Sequence, residues 1–339
     1  MKVRDKLIDI AKGVGILLVV FAHTYSGTLS GIIYYFHMPL FFMLTGCALT
    51  YSSRRGLRWG CLAKSIVVPY LAFSLLNFTY WALLESRLRP IHEGDLFPWL
   101  SGRLDMKWQQ FLNIFTAISF KDAFLYNVVL WFLPCLFVCR VLFGWLRQSR
   151  HSLELSVLLA AMGYGCIYGL KLELPWCVEL ALAATPLIFL ANWGYKAFRE
   201  HLGVTLALIS AGGGYAALYI IYLLTDIRID MRAHELNGGW FYVLAIMGSV
   251  STLSLCRLLE KTWLVNVFSY LGRNSLIIMC LHEPLKRIVI KGCSVVTGLD
   301  TGVLREETLP SLLIVAVIVI ILLPCVYAIN RWMPLLAGK

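Results

Sequence analysis

The stretch that decides the fold is residues 6–27, KLIDIAKGVGILLVVFAHTYSG. At 1.5 Å per residue, about 20 apolar residues in a helix cross the hydrocarbon core of a bilayer. The run contains Asp9, Lys12 and His23, and it continues past Gly27 with no small-residue cleavage pattern. It is therefore not expected to be a cleaved signal peptide. We predict a membrane helix that remains in the protein.

The rest of the chain repeats this pattern. Of its 339 residues, 59% are hydrophobic and only 14% are charged, with a mean hydropathy of +0.75, which excludes a purely soluble protein. The sequence predicts an all-α, polytopic membrane bundle of about ten transmembrane helices, forming one domain over residues 1–339. The ten predicted spans are 7–27, 32–51, 62–84, 126–146, 153–170, 175–195, 202–224, 238–257, 264–283 and 309–330. Residues 85–125 are expected to form an interfacial loop with a short amphipathic helix.

The net charge of +11 is interpreted as a sign of membrane topology and not of a nucleic-acid partner. The basic residues lie between the apolar segments instead of covering one face of the protein. Assigned alternately to the two sides, the loops on the side of the N-terminus carry most of the Lys and Arg residues. The positive-inside rule therefore predicts that both termini are cytoplasmic. We expect a multi-pass protein of the plasma (inner) membrane, in contact with lipid and with no nucleic-acid partner.

Ionisable groups at membrane depth are costly, so those of the first span need a reason. Asp9 and Lys12, three residues apart, can pair on one helix face. Lys12 and His23, eleven apart, point the same way and are separated by roughly 16 Å along the axis. The structural alternatives are that Lys12 snorkels to the headgroups and that His23 makes a capping or interhelical hydrogen bond.

Two further histidines are predicted at the depth of His23. His37 lies in GIIYYFHMPLFFMLTGCAL (31–49), and His282 ends the ninth span in LGRNSLIIMCLHEPL (271–285). Three imidazoles from three helices can face one cavity. Zinc is disfavoured because no two histidines have ligand spacing on one helix, so we predict no metal and favour acid/base chemistry. For His37 two roles stay open: it positions the acceptor substrate, or it makes a structural hydrogen bond between helices.

The opening pair of helices resembles the acyltransferase family 3 membrane proteins. The resemblance rests on IDIAKGVGILLVVFAH (8–23) followed by FHMPLFFMLTGCAL (36–49), and KSIVVPYLAF (64–73), WFLPCLFV (131–138) and the His282 segment extend it over most of the chain. It implies a ten-helix bundle that moves an acyl group, usually acetyl, from cytoplasmic acyl-CoA to a hydroxyl of a glycan or lipid-linked sugar beyond the membrane.

The resemblance also implies residue roles. His23 matches the family's catalytic histidine, and Lys12 matches its basic residue, which is usually arginine. Lys keeps the charge but loses the bidentate fork of a guanidinium. Thr45 stands where the family usually has Ser, and the hydroxyl is kept.

We combine these observations in one hypothesis about acetyl-CoA. The cofactor-binding candidates, expected near the cytoplasmic surface, are Lys12, Asp9, Arg54, Arg55 and Arg58. Lys12 and the arginines would hold the CoA phosphates, and a slot along the first helix would bring the thioester to His23. His23 then acts as general base or as a covalent acyl carrier, with His37 and His282 as further catalytic candidates.

Alternatives stay open at this stage. A multi-helix transporter or flippase for a lipid-linked sugar or small metabolite would show two related halves with broken helices in matching positions, and the sequence shows neither. A membrane glycosyltransferase would bring long loops with paired carboxylates.

For the group that orients His23, Glu283 and Glu179 are the candidates. The terminal tryptophans of the spans, including Trp131, are interpreted as interfacial anchors and Asp230 as a solvated loop acid. A homo-oligomer is left open.

Overall fold

The computed structural model describes residues 5–51, 59–85, 98–119 and 123–339, and for 98–105 the backbone alone. Within these ranges the chain is helical and has no strand beyond one isolated bridge. The helices are α1 (Lys6–Thr24), α2 (Thr28–Tyr34), α3 (His37–Thr50), α4 (Trp59–Glu85, with π-helical turns), α5 (Pro98–Thr116), α6 (Val128–Leu146), α7 (Ser152–Gly169), α8 (Val178–His201), α9 (Val204–Leu224), α10 (Trp240–Leu259), α11 (Leu264–Arg273), α12 (Ser275–Thr297), α13 (Thr301–Glu306) and α14 (Thr308–Trp332).

The predicted polytopic bundle is confirmed. In the described part of the chain, nine helical segments are long and apolar enough to cross a membrane, and a tenth crossing results if α11 and α12 count as one span. Residues 85–125 contain the expected helix as α5, which is longer than predicted. The second span is split into α2 and α3, and His37 is the first residue of α3.

The ninth predicted span, 264–283, is wrong as a continuous helix. The chain bends by 79° between α11 and α12, and the second arm continues to Thr297. α11 is an amphipathic helix of ten residues, and Asn274 follows it directly, donating from Nδ2 to the carbonyl of Tyr270 at 2.8 Å. An apolar run alone does not reveal such a bend, because both arms contribute apolar residues to it.

Two glycines allow α1 and α11 to touch. A Cβ on Gly13 would lie 2.0 Å from the carbonyl oxygen of Phe268, and one on Gly272 would lie 1.8 Å from that of Asp9. No side chain fits at either position, so the backbones approach as closely as small-residue membrane packing permits. This contact fixes the start of α1, which carries Asp9 and Lys12, against the bent arm.

α1 is an inner helix of the bundle. It packs against α3, α10, α11 and α12, and side chains along its length, such as Leu7, Ile10 and Ile16, have no exposed surface. α9 and α14 lie at the periphery, where Leu224 is 78% exposed and Ile320 is 63% exposed, as expected of lipid-facing helices. The end of α1 that carries His23 is therefore enclosed by other helices.

Candidate active site

The C-terminus of α1 is fully capped. The last four carbonyls of a helix lack an intrahelical donor beyond the helix end, and each must find one elsewhere. The donors are the Tyr25 N–H to Phe21 O (2.8 Å), the Ser30 hydroxyl to Ala22 O (2.8 Å), Lys286 Nζ to His23 O (3.1 Å) and Arg305 Nε to Thr24 O (3.1 Å). Two of the four are cations, which also favours their position at the negative end of the helix dipole. The backbone of His23 is held in place by this set.

The structure brings the three predicted histidines together. The ring centroid of His23 lies 5.8 Å from that of His282 and 6.1 Å from that of His37. His37 is 3% exposed and His282 is fully buried, whereas His23 keeps part of its surface. The rings come from α1, α3 and α12, as the spacing predicted. Among the described residues, no group of three or more His, Cys, Asp or Glu side chains is arranged to hold a metal ion.

Hydrogen bonds to backbone carbonyls orient the imidazoles of His37 and His282, which lie on either side of His23 in this group. His37 Nδ1 lies 3.0 Å from Ile33 O, and His282 Nδ1 lies 2.9 Å from Met279 O and 3.1 Å from Ile278 O. A carbonyl only accepts, so these contacts assign the proton of each ring to Nδ1 and leave Nε2 as an acceptor. His282 Nε2 is buried and has no hydrogen-bond partner among the described residues.

Tyr34, on α2, places its hydroxyl group beside the imidazole of His23. Its Oη lies 3.4 Å from His23 Nδ1, and its ring centroid lies 4.8 Å from that of His37. Tyr34 is not among the site residues that the sequence predicts, because a tyrosine in a YY pair near a span end is typical of an interfacial anchor. In a continuous helix over the predicted span 32–51, the spacing of three between Tyr34 and His37 places both side chains on one face, and that spacing is the signal. In the structure Tyr34 ends α2 and His37 begins α3.

The rings of His23, Tyr34 and His37 border a cavity of about 90 Å³, which His282 does not line. Its lining includes His23, Tyr34 and His37, together with Met38, Val128, Val129, Trp131, Asp230, Met231 and Arg232. Two expectations are corrected here. Trp131 is 4% exposed and faces this cavity instead of anchoring at the interface, and Asp230 belongs to the cavity wall instead of being a freely solvated acid. A partly buried turn brings Asp230 into the site, and sequence spacing does not reveal it.

Neither predicted orienting acid contacts the catalytic candidate. Glu283 accepts from Lys286 Nζ at 2.8 Å with both carboxylate oxygens, and the pair is almost fully buried. Glu179 lies 3.0 Å from His234 Nε2 and accepts from the Leu174 N–H, also at 3.0 Å. Glu283 is linked to the backbone of His23 through Lys286, whose ammonium group donates to both the carboxylate and the His23 carbonyl.

A proline frees a backbone acceptor next to the site. Pro284 has no N–H, so the carbonyl of Cys280 lacks its helical donor. Two buried amides replace it: Asn127 Nδ2 donates to Cys280 O at 2.7 Å, and Asn77 Nδ2 donates to it at 3.1 Å. These bonds tie α4 and the start of α6 to the turn of α12 that carries His282.

The structure describes only some of the residues that are predicted to bind the CoA phosphates. Asp9 is buried and Lys12 is half-buried on α1, while Arg54, Arg55 and Arg58 lie outside the described residues. The expected slot along α1 is not open, because Ile16 is 0% exposed and Val19 is 1% exposed on the face between Lys12 and His23. Packed apolar side chains fill that face, which favours close contact over an empty passage.

Comparisons with known proteins agree with the architecture. A family model described as an acyltransferase domain, that of acyltransferase family 3, matches residues 5–331, nearly the whole chain. Searches of curated proteins and of solved structures gave no match. The matched region contains every helix from α1 through most of α14, including the three histidines. The chain belongs to acyltransferase family 3 and is a multi-pass membrane acyltransferase.

Proposed function

We propose that this protein transfers a short acyl group, acetyl in the first instance, from acyl-CoA to a hydroxyl group of a glycan or lipid-linked sugar. The observation that carries the proposal is the position of His23, whose backbone is fixed by Lys286 while its ring borders a cavity between helices. A rigidly held base beside a space for substrate is what general base catalysis requires.

The size of the cavity supports a short acyl chain. A volume of about 90 Å³ accommodates several water molecules, enough for a substrate hydroxyl and an acetyl group. A long fatty acyl chain would need a much larger apolar space. The polar part of the lining, which includes Asp230 and Arg232, suits a hydroxyl-rich acceptor.

The reaction needs a base, a donor to the carbonyl oxygen and a leaving group. The His23 imidazole takes the proton of the acceptor hydroxyl as its oxygen attacks the thioester carbonyl. The C–S bond then breaks, and the imidazolium returns the proton to the CoA thiolate. Attack on the thioester places a negative charge on the former carbonyl oxygen, and we assign the donor to that oxyanion to the Tyr34 hydroxyl. Its contact with His23 Nδ1 is long, at 3.4 Å, and therefore weak, so the hydroxyl can give it up for a hydrogen bond to the oxyanion.

A covalent acyl-histidine is the alternative route for the same residue. In that route the acyl group is transferred from sulfur to a His23 nitrogen, and the acceptor oxygen attacks the acyl-imidazole in a second step. Intact-protein mass spectrometry after rapid mixing with acetyl-CoA, without acceptor, separates the routes. An added acetyl mass that disappears in His23→Gln supports the covalent route, and no added mass supports direct transfer.

For the donor, we propose that Lys12 binds CoA phosphate at the cytoplasmic side with Arg54, Arg55 or Arg58, while Asp9 sets the position of Lys12. Because the α1 face between Lys12 and His23 is packed, the thioester arm needs a side-chain rearrangement or a path beside that face. The proposed location is the plasma membrane with both termini cytoplasmic, which puts the acyl donor and Lys12 on one side.

The transporter alternative predicted broken helices in matching positions of two halves. Among the described residues there is one bent pair, α11 and α12, with no counterpart. The test that separates the two functions uses purified protein in lipid nanodiscs with acetyl-CoA. An acyltransferase releases free CoA thiol and forms an acetyl ester on an added sugar acceptor, whereas a transporter releases no thiol above buffer.

A further inference from the structure

A hairpin forms one wall of the cavity beside His23. Residues 229–236, here called the wall hairpin, are closed by paired backbone hydrogen bonds of 2.9 Å between Asp230 and Glu235. At its tip the Asp230 Oδ1 accepts from the N–H of Arg232 at 3.0 Å, which fixes the turn. The tip places Asp230, Met231 and Arg232 on the cavity.

Three other parts of the protein hold the wall hairpin in place. The Ser119 hydroxyl donates to Arg232 O at 3.1 Å, and Glu179 on α8 lies 3.0 Å from His234 Nε2. The Tyr168 hydroxyl of α7 accepts from the Leu236 N–H at 2.8 Å. These anchors make the wall hairpin a fixed part of the cavity, so its side chains meet a substrate in a defined geometry.

Arg232 lines the cavity, and among the described residues its guanidinium has no ion pair, in contrast to two neighbouring cations on α12. Arg287 is paired with Glu85 at 2.6 Å, and Lys286 is paired with Glu283 at 2.8 Å. Arg232, by contrast, is half-buried and has no carboxylate or hydrogen-bond partner for its guanidinium among the residues that the structure describes. A partly desolvated cation favours an anion beside it, and a guanidinium binds carboxylate or phosphate through two parallel hydrogen bonds.

We propose that Arg232 binds an anionic group of the acceptor, a carboxylate or a phosphate, while His23 acts on a hydroxyl of the same molecule. This inference rests on the proposed acyltransferase function and adds the charge of the substrate to it. Asp230 Oδ1 accepts from the backbone N–H groups of Arg232 and Ala233, and among the described residues no ion pair joins this carboxylate to the Arg232 guanidinium. Its second oxygen is available to accept from a further hydroxyl of the acceptor.

The test compares matched acceptors with the full-length protein in nanodiscs. Methyl hexosides of gluco, galacto and manno configuration, the corresponding uronic acids and the hexose 6-phosphates are each supplied with acetyl-CoA. Ester formation is followed by mass spectrometry. We expect at least one anionic series to be used with a kcat/KM about tenfold or more above its neutral counterpart. A preference for uronic acids assigns a carboxylate, and one for 6-phosphates assigns a phosphate.

The variants assign the preference to one side chain. Arg232→Gln should bring the anionic-to-neutral ratio of kcat/KM close to one, and Arg232→Lys should retain part of that ratio. Arg228→Gln is the matched control, because Arg228 is exposed in the same loop and does not line the cavity. Equal use of neutral and anionic acceptors, or an anionic preference that survives in Arg232→Gln, would overturn this inference alone. Absence of ester formation and of hydrolysis with every acceptor would overturn the acyltransferase function itself.

Discussion

Lys286 Nζ donates to the backbone carbonyl of His23 at 3.1 Å and at the same time contacts both carboxylate oxygens of Glu283 at 2.8 Å. The interaction joins residues 263 positions apart and links α12 to the last turn of α1. A buried ion pair alone is weak evidence for stability, because desolvation offsets its attraction. Here the pair has a second role, since it supplies the donor that a helix end beside the candidate site needs.

That second role leads to a prediction that separates stability from activity. Lys286→Met leaves the Glu283 carboxylate buried beside Arg287 only, and we expect a loss of about 3 kcal/mol of stability together with most of the transfer activity. The double variant Glu283→Leu, Lys286→Met removes both charges, so it should recover much of the stability. Its activity should stay low because the His23 carbonyl still lacks its donor. Thermal unfolding and ester formation in the same nanodisc preparation measure both effects, and full activity in the double variant would contradict this role.

Tyr34 is expected to act in the chemical step. Tyr34→Phe keeps the ring that packs beside His37 and removes only the hydroxyl, so folding should be unchanged. Loss of one oxyanion donor predicts a fall in kcat of about 100-fold, with KM for both substrates changed by less than about threefold. Steady-state kinetics with acetyl-CoA and the best acceptor test this. A raised KM with normal kcat would assign Tyr34 to binding instead.

The Cys280 carbonyl gives a test of how the site is held together. Asn127→Ala removes one of its two amide donors and should lower stability by about 1 kcal/mol. Pro284→Ala restores a backbone N–H that can reach Cys280 O. The cost of Asn127→Ala should therefore be smaller in the Pro284→Ala background, and a double-mutant cycle of unfolding free energies measures the difference. Equal costs in the two backgrounds would show that Pro284 and Asn127 are not coupled.

Lys12 is expected to serve the acyl donor. Lys12→Ala should weaken acetyl-CoA binding, whereas Lys12→Arg should retain or strengthen it, because a guanidinium adds the bidentate fork. Isothermal titration calorimetry with the purified protein measures the affinity. Lys291→Ala is the matched control, since Lys291 is exposed on α12. Unchanged affinity in Lys12→Ala would remove Lys12 from the donor site.

Much of the bundle could be predicted from the sequence, because a run of about 20 apolar residues has few structures available in a bilayer. The gathering of His23, His37 and His282 was also predictable, since depth along each helix follows from residue count. The bend at Asn274, between α11 and α12, could not be predicted in the same way. It divides an apolar stretch whose composition alone does not show whether one helix or two are formed, and the close contact of Gly13 with Phe268 is visible only once α11 lies across α1.

The polar partners of the site were the harder part. The sequence does not predict Lys286 in the site, because it follows the predicted end of the ninth span, and it predicts a solvated acid at Asp230, because the loop around it is polar. Both reach the site through tertiary contacts between segments distant in sequence: Lys286 through the capping of α1, and Asp230 through the wall hairpin. Hydrophobic periodicity reports which face of a helix is buried, and it carries no information about which distant helix supplies a hydrogen bond.

The most direct test of the central claim is the rate of acetyl transfer by His23→Ala, measured beside its affinity for acetyl-CoA in one nanodisc preparation. The claim that the His23 imidazole performs the acid/base or acyl-carrying step predicts a rate lower by about 1,000-fold or more, with an unchanged unfolding temperature and an acetyl-CoA affinity within about twofold of the wild type. A His23→Ala protein that forms the ester at the wild-type rate would contradict it.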